Sequence, residues 1–253
     1  MPFSAHRANP LQNQILAVLD TEQLKRLQRN MQSVSVHLGD VLLEPSDRIR
    51  HVYFPQNGAL ISLLATMEDG KSVEVSLVGN EGAVGIPAIL GGDRSGYTAL
   101  VQGPGDCLKI RVGDLKAEFD AGGVLHDSLL RYIRYLLAQI SQTAACNRLH
   151  RLEQRFARWL LMVHDRAKKD EFPVTHEFLS LMLGAPRSEV SVVAGNLRKS
   201  WCIRYWRGKV TILDRQGLEK ASCECYRAVA GESSPPREKK ELQVAVPISK
   251  LRH

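Results

Sequence analysis

At 253 residues, with 44% hydrophobic and 24% charged residues, the chain has the length and composition of an ordinary globular protein of one large or two modest domains. No apolar run nears the roughly 18 residues that span a bilayer, and five scattered cysteines, an odd number, do not make a disulfide framework. The formal charge of +7 is placed unevenly: residues 1–150 carry 14 Lys+Arg against 15 Asp+Glu, residues 151–253 carry 20 against 12, so the C-terminal part is the one suited to a polyanion.

The opening stretch Met1–Asn13 is polar and lacks the apolar centre of a signal peptide, so a cytoplasmic location is expected, with no membrane partner. Leu16, Leu19, Leu24 and Leu27 recur at helical spacing within residues 11–29. From Ser33 the period changes to two. Short alternating runs around Val34–Leu38, Val52–Phe54, Ala59–Leu63, Val73–Leu77 and residues 97–110 are punctuated by Gly39-Asp40, Asn57-Gly58, Asp69-Gly70 and Gly103-Pro104-Gly105. Short strands at regular intervals with Gly, Asn and Asp turns predict an antiparallel barrel or roll.

Residues 114–120 read as a short helix, and a long one is expected from about Leu125. Leu129, Ile133, Leu136, Ile140, Thr143 and Asn147 alternate spacings of four and three, the a/d seam of a coiled coil, with Asn147 as a polar register residue. A helix packed on its own roll is the alternative. Residues 151–170 are expected to continue as helix, with Leu152, Phe156, Trp159, Leu160 and Val163 on one stripe. The domain boundaries expected are 1–123 for the β-roll, 124–150 for the dimerisation helix, 151–228 for a DNA-binding unit and 229–253 for a Pro-rich tail.

The most informative stretch is Phe172–Asp214. Thr175 is a good N-cap for a helix that Gly184 ends, the residue free to take positive φ. Ala185-Pro186 turns the chain, and a second helix runs from Arg187 to Lys199 with Val190, Val193, Ala194 and Leu197 facing inward. Helix, tight turn, helix is the geometry that lets the second helix enter a major groove. Arg187, Ser188, Glu189 and Ser191 then point outward near its start, where Arg reads guanine, Glu accepts from cytosine and Ser serves either base type. Arg198 and Lys199 lie at its end. Two strands joined at Arg207-Gly208 form a wing whose Arg204, Arg207 and Lys209 can neutralise phosphates.

With Thr175-x-x-Phe-Leu-x-x-x-Leu-Gly184-x-x-Arg187-x-x-Val190 and the strand Lys209–Asp214, the chain resembles the Crp–Fnr family of bacterial regulators over nearly its full length. The resemblance implies an α+β fold: an N-terminal antiparallel β-roll (a double-stranded β-helix), a long dimerisation helix and a C-terminal winged helix-turn-helix. It implies a homodimer on a palindromic duplex, RNA polymerase as a candidate partner, and a small-molecule effector in the roll. Arg187 would contact guanine; Thr175 and His176 would contact phosphate. Two departures stand out. Where the family commonly has Glu after the Arg and a second Arg five residues on, this chain has Ser188 and Val192, so a different palindrome is implied. Cyclic-nucleotide binders carry Gly-Glu-x-(Gly/Ala) followed by Arg-(Ser/Thr)-Ala; here Gly82-Ala83-Val84-Gly85 lacks the carboxylate and Arg94-Ser95-Gly96 is a partial second element. Gly82, Gly85, Arg94 and Ser95 are the candidate effector residues, with cAMP disfavoured by Ala83 in the place of the ribose-binding Glu.

No metal site is expected. Cys223 and Cys225 are separated by too few residues for a zinc knuckle and read as reduced thiols, no N-terminal cysteine cluster offers an iron–sulfur centre, and His37, His51 and His126 read as structural rather than haem ligands. No His-x-His, Gly-x-Ser-x-Gly, His-Glu-x-x-His or P-loop pattern is present, so the chain is not expected to be an enzyme. A scaffold that never touches DNA is the third class; salt-dependent duplex binding separates it from a regulator.

Overall fold

A computed structural model describes residues 12–232. After two short helices, α1 (Gln14–Ala17) and α2 (Thr21–Gln28), come β1 (Met31–Val36), β2 (Val41–Leu43), β3 (His51–Gln56), β4 (Leu60–Thr66), β5 (Ser72–Val78), β6 (Thr98–Gly103) and β7 (Gly105–Arg111). They form two antiparallel sheets, ordered β1-β7-β3 and β2-β6-β4-β5, the expected roll. Strand β2 is an addition to the sequence reading; at three residues it is too short to show alternation. One core fills the roll with Val52, Phe54, Ile61, Leu63, Val101 and Ile110.

Helix α3 (Val112–Asp120) leads into α4 (Val124–Leu149). Helix α5 (Leu152–Ala167) follows, then β8 (Glu171–Pro173), α6 (His176–Leu183), α7 (Arg187–Lys199), β9 (Ile203–Trp206), β10 (Lys209–Ile212), α8 (Arg215–Ala221) and α9 (Cys225–Glu232). The three C-terminal strands pair in the order β8-β10-β9. A second core joins this unit to the roll: Leu60, Leu64 and Leu77 pack with Phe156, Leu160, Leu179, Val190 and Leu197.

Three expectations need correction. The helix does not run through residue 151: His150 is extended (φ −109°, ψ 150°) and Arg151 caps a new helix, α5, which ends at Lys168. Two of the expected seam residues face inward. Leu129 is 0% exposed and Thr143 7%, both turned into the protomer, whereas Leu130 and Leu137 are 44% and 60% exposed. Ile133 and Leu136 are half-buried, with contacts to the roll core. Exposed or half-buried apolar residues at four-three spacing are Leu130, Ile133, Leu137, Ile140 and Ala144, which share Ile133 and Ile140 with the expected seam. The physical cause is the doublets Leu129-Leu130 and Leu136-Leu137: neighbours on a helix sit about 100° apart, and only the packing decides which one the roll takes. Lastly, residues 229–232, assigned to the tail, are helical, and Val229 is buried in the roll core. Residues 1–11 and 233–253, which hold most of the polar N-terminus and the rest of that tail, lie outside the described residues.

Candidate nucleic-acid interface

Helix α6 begins where the Thr175 hydroxyl accepts the Phe178 N–H at 3.1 Å, and ends at Gly184 in the left-handed conformation (φ 56°, ψ 42°). Ser180 Oγ donates to the Ala185 carbonyl at 2.5 Å, tightening the turn, and Pro186 caps α7. Val190, Ala194 and Leu197 are buried and Val193 is half-buried. That orientation leaves Arg187, Ser188, Glu189, Ser191, Val192, Arg198 and Lys199 exposed. An amino-terminal helix turn that presents Arg and Ser is equipped both for base edges and for phosphate.

His176 sits behind this surface. Its ring stacks on Tyr205 at 4.6 Å, and Nδ1 lies 3.0 Å from Ser191 Oγ, whose hydroxyl also reaches the Arg187 carbonyl at 2.9 Å. Burial and the nearby Arg187 charge lower its pKa, favouring the neutral ring. Here His176, expected at phosphate, and Ser191, expected at a base edge, join α6, α7 and β9. Tyr205, which it missed, donates to the Val174 carbonyl at 2.9 Å and holds β9 against β8.

The wing turns at Arg207 (φ 48°) and Gly208 (φ 72°), the pair of positive angles that a two-residue hairpin of matching twist requires. At its tip Arg207 lies 5.6 Å over the ring of Trp206, itself 67% exposed. Lys209 pairs with Glu171 at 3.0 Å and thereby holds that carboxyl below its ordinary pKa. Arg204 reaches Thr211 at 3.4 Å. Arg207 is thus the wing cation best placed for phosphate.

In the roll, the expected effector residues make contacts within the fold. Gly82 has the ring of Tyr132 over it, so close that a Cβ would meet Cε2 at 2.3 Å, and Tyr132 donates to the Ala83 carbonyl at 3.0 Å. Gly85 (φ 96°) starts a short 3-10 turn, Ile86–Ala88. Arg94 is exposed and donates to the Ser46 carbonyl at 2.7 Å, while Ser95 is buried and turned to the Tyr97 carbonyl at 2.7 Å. The neighbouring cavity of about 470 Å³ is lined by Arg48, Ile49, Arg50, Ala88, Gly91, Gly92, Asp93, Val112 and Gly113, none of them an expected site residue.

Residues 33–121 match the family model described as a cyclic nucleotide-binding domain, and residues 154–221 the one described as a Crp-like helix-turn-helix domain. The chain belongs to the Crp–Fnr family. The transcriptional regulator SdrP of Thermus thermophilus is 27% identical over 200 residues, 75% of this chain and 93% of that one. The crystal structure of the CRP/FNR-family regulator TTHA1359 from Thermus thermophilus is 26% identical, with a TM-score of 0.51, covering 76% of this chain and 98% of that one. FixK2 of Bradyrhizobium japonicum shares the fold at 13% identity (TM-score 0.66; 76% and 98% covered). This Crp–Fnr protein is accordingly a transcriptional regulator with a helix-turn-helix DNA-binding domain, and none of its described helices is long and apolar enough to cross a membrane. Its residues do not fit a cyclic nucleotide held in the family manner: Ala83 is a buried methyl where the ribose needs a carboxylate, and Tyr132 covers Gly82.

The regulator's nearest carboxylate, Glu81, is used elsewhere. Arg166 of α5 donates from Nε to Glu81 Oε1 at 2.7 Å and from Nη2 to Tyr135 at 2.8 Å, tying the roll, α4 and α5 together in a nearly buried ion pair. Burial alone would lower the Arg166 pKa, but Glu81 and Tyr135 outweigh it and raise it. Arg158 donates to Thr143 at 3.0 Å, and Arg155 to Asn147 at 3.2 Å and to the Leu183 carbonyl, so two residues expected in a dimer seam anchor α5 instead. The fold also gathers Cys146, His150, Cys223 and Cys225, which the sequence keeps apart, into one cluster. Sequence reading missed these contacts because the partners lie on different elements, from 8 residues apart for Asn147 and Arg155 to 85 for Glu81 and Arg166.

Proposed function

We propose that this chain is a homodimeric, sequence-specific, cytoplasmic DNA-binding regulator that reads a palindromic operator with the exposed start of α7. The observation carrying this reading is that surface: Arg187, Ser188, Glu189 and Ser191 on an amino-terminal helix turn, flanked by Thr175, by Arg198 and Lys199, and by the wing cations Arg207 and Lys209. Arg187 and Ser188 meet base edges, Thr175 and Arg207 meet phosphate, and His176 orients Ser191. The dimer forms along the outward register Leu130–Ile133–Leu137–Ile140–Ala144, which matches the four-three spacing of a coiled coil.

Residues 12–123 act as the sensor, α4 as the dimerisation helix and residues 151–232 as the DNA-reading unit. A signal at the roll reaches α7 through Glu81, Arg166 and Tyr135, because any shift of the 79–82 loop must move that ion pair and with it α5. A small-molecule effector other than a cyclic nucleotide, and RNA polymerase as the partner at a promoter, complete the reading. The test is selection of bound duplexes from a random DNA pool. A palindromic consensus with half-sites one helical turn apart, bound with an affinity that falls steeply as salt rises, is the expected result. Binding without a consensus and without salt dependence would sink it.

A further inference from the structure

Four ligand-bearing side chains from two distant segments converge where α4 ends. Cys146 lies in its last turn and His150 is the extended residue that follows it, while Cys223 and Cys225 flank the turn into α9. Their ligand atoms all lie within 4.8 Å of one another, with Cys146 Sγ 3.5 Å from Cys223 Sγ and Cys225 Sγ 3.5 Å from His150 Nδ1. All three cysteines are buried, and none is in a disulfide. A tetrahedral zinc ion with bonds of about 2.3 Å to sulfur and 2.0–2.1 Å to nitrogen separates its ligand atoms by roughly 3.6 Å. The two shortest separations already match that edge.

The surroundings fit the same chemistry. Glu224 Oε1 lies 3.3 Å from His150 Nε2, so a proton held on Nε2 would leave the Nδ1 lone pair for the cluster, the carboxylate–histidine arrangement that orients metal ligands. Gln142 Nε2 donates to Cys225 Sγ at 3.0 Å, as an amide does to a thiolate. A four-iron cluster spreads its cysteine sulfurs around a cubane and would need them farther apart than they are here.

We propose that Cys146, His150, Cys223 and Cys225 bind one tetrahedral divalent transition-metal ion, with zinc as the resident metal. Binding forms three metal–sulfur bonds and one metal–nitrogen bond and releases the three thiol protons to solvent. With four protein ligands the shell is closed, so the ion is structural rather than catalytic. It clips α9 to the end of α4, joining segments 77 residues apart in the chain.

The test is titration of the reduced, chelator-stripped full-length protein with Co(II) alone. One equivalent per chain is expected, giving the intense visible bands of tetrahedral cobalt and a thiolate-to-cobalt charge-transfer band, both bleached by stoichiometric zinc. Cys223→Ser should cut the charge-transfer intensity by about one third, as three thiolates become two. Glu224→Gln alters an exposed side chain that the fold does not depend on, and should weaken cobalt binding about tenfold or more while leaving the band shape unchanged. Cys202→Ser, outside the cluster, should change neither. Substoichiometric binding, the weak spectrum of octahedral cobalt, an iron–sulfur chromophore on these ligands, or insensitivity to Cys223→Ser would each overturn the assignment.

Discussion

Glu74 offers the sharpest measurement on the joint between roll and DNA-binding unit. It lies on β5, 6% exposed, with Ser62 Oγ 2.7 Å from its carboxylate, and Ser62 is also 2.9 Å from Gln102. Burial raises its pKa from 4.5 to about 7, against the opposing pull of Ser62 and the more distant Arg166 and Arg158. The unfolded chain gives up this proton near 4.5 and the fold keeps it to about 7. Between those values the native state binds more protons, so its contribution to stability is full below 4.5 and is lost as pH rises through about 7. At 1.36 kcal/mol per pH unit the loss is about 3 kcal/mol. Glu74→Gln keeps an oxygen for Ser62 and removes the charge. The variant should equal the parent at about pH 4.5 and exceed it by up to about 3 kcal/mol at about pH 8. Urea unfolding followed by tryptophan fluorescence, at fixed protein concentration because the proposed dimerisation would shift apparent stability, reads this directly. Identical pH profiles for variant and parent, or a variant less stable at alkaline pH, would refute the argument.

Three other experiments probe the interface, the proposed dimer and the roll. Arg187→Ala should cost about 1–3 kcal/mol at one base pair per half-site in competition binding, whereas an equal loss on every sequence would mark a phosphate contact. Leu130→Asp combined with Leu137→Asp should convert the dimer to monomer in sedimentation and leave the fold intact, because both side chains are exposed in the protomer; the same exchange at Leu129 should unfold the roll. Gly82→Ala drives a methyl into Tyr132 and should destabilise by about 1–3 kcal/mol in thermal melts, with Tyr132→Leu in the same chain restoring most of the loss.

The helix-turn-helix was legible because each of its features is local. Thr175, Gly184 and the inward spacing of Val190, Ala194 and Leu197 bound α6 and α7 where the sequence places them. The strands of the roll were legible for the same reason, apart from three-residue β2, and so was the wing, apart from three-residue β8. What failed depended on which surface meets which. Leu129 and Leu130 are chemically identical, and only the roll's packing turns one inward. Helix propensity alone carries α4 through His150, yet the chain breaks there. The cysteines were dismissed on their one-residue gap, since nothing in linear spacing brings Cys146 to Cys223. Glu81 stood beside the expected effector motif, but its partner, Arg166, lies 85 residues away.

The turn of the DNA-reading unit rests against the roll at one narrow point. A Cβ on Gly184 would press Val73 of β5 at 3.1 Å, in a backbone conformation that side-chain-bearing residues already avoid. Positions 73 and 184 are therefore bound to drift together in descendants of this sequence. A side chain at 184 needs residue 73 to yield by a few tenths of an ångström, so a larger residue 73 favours leaving 184 bare.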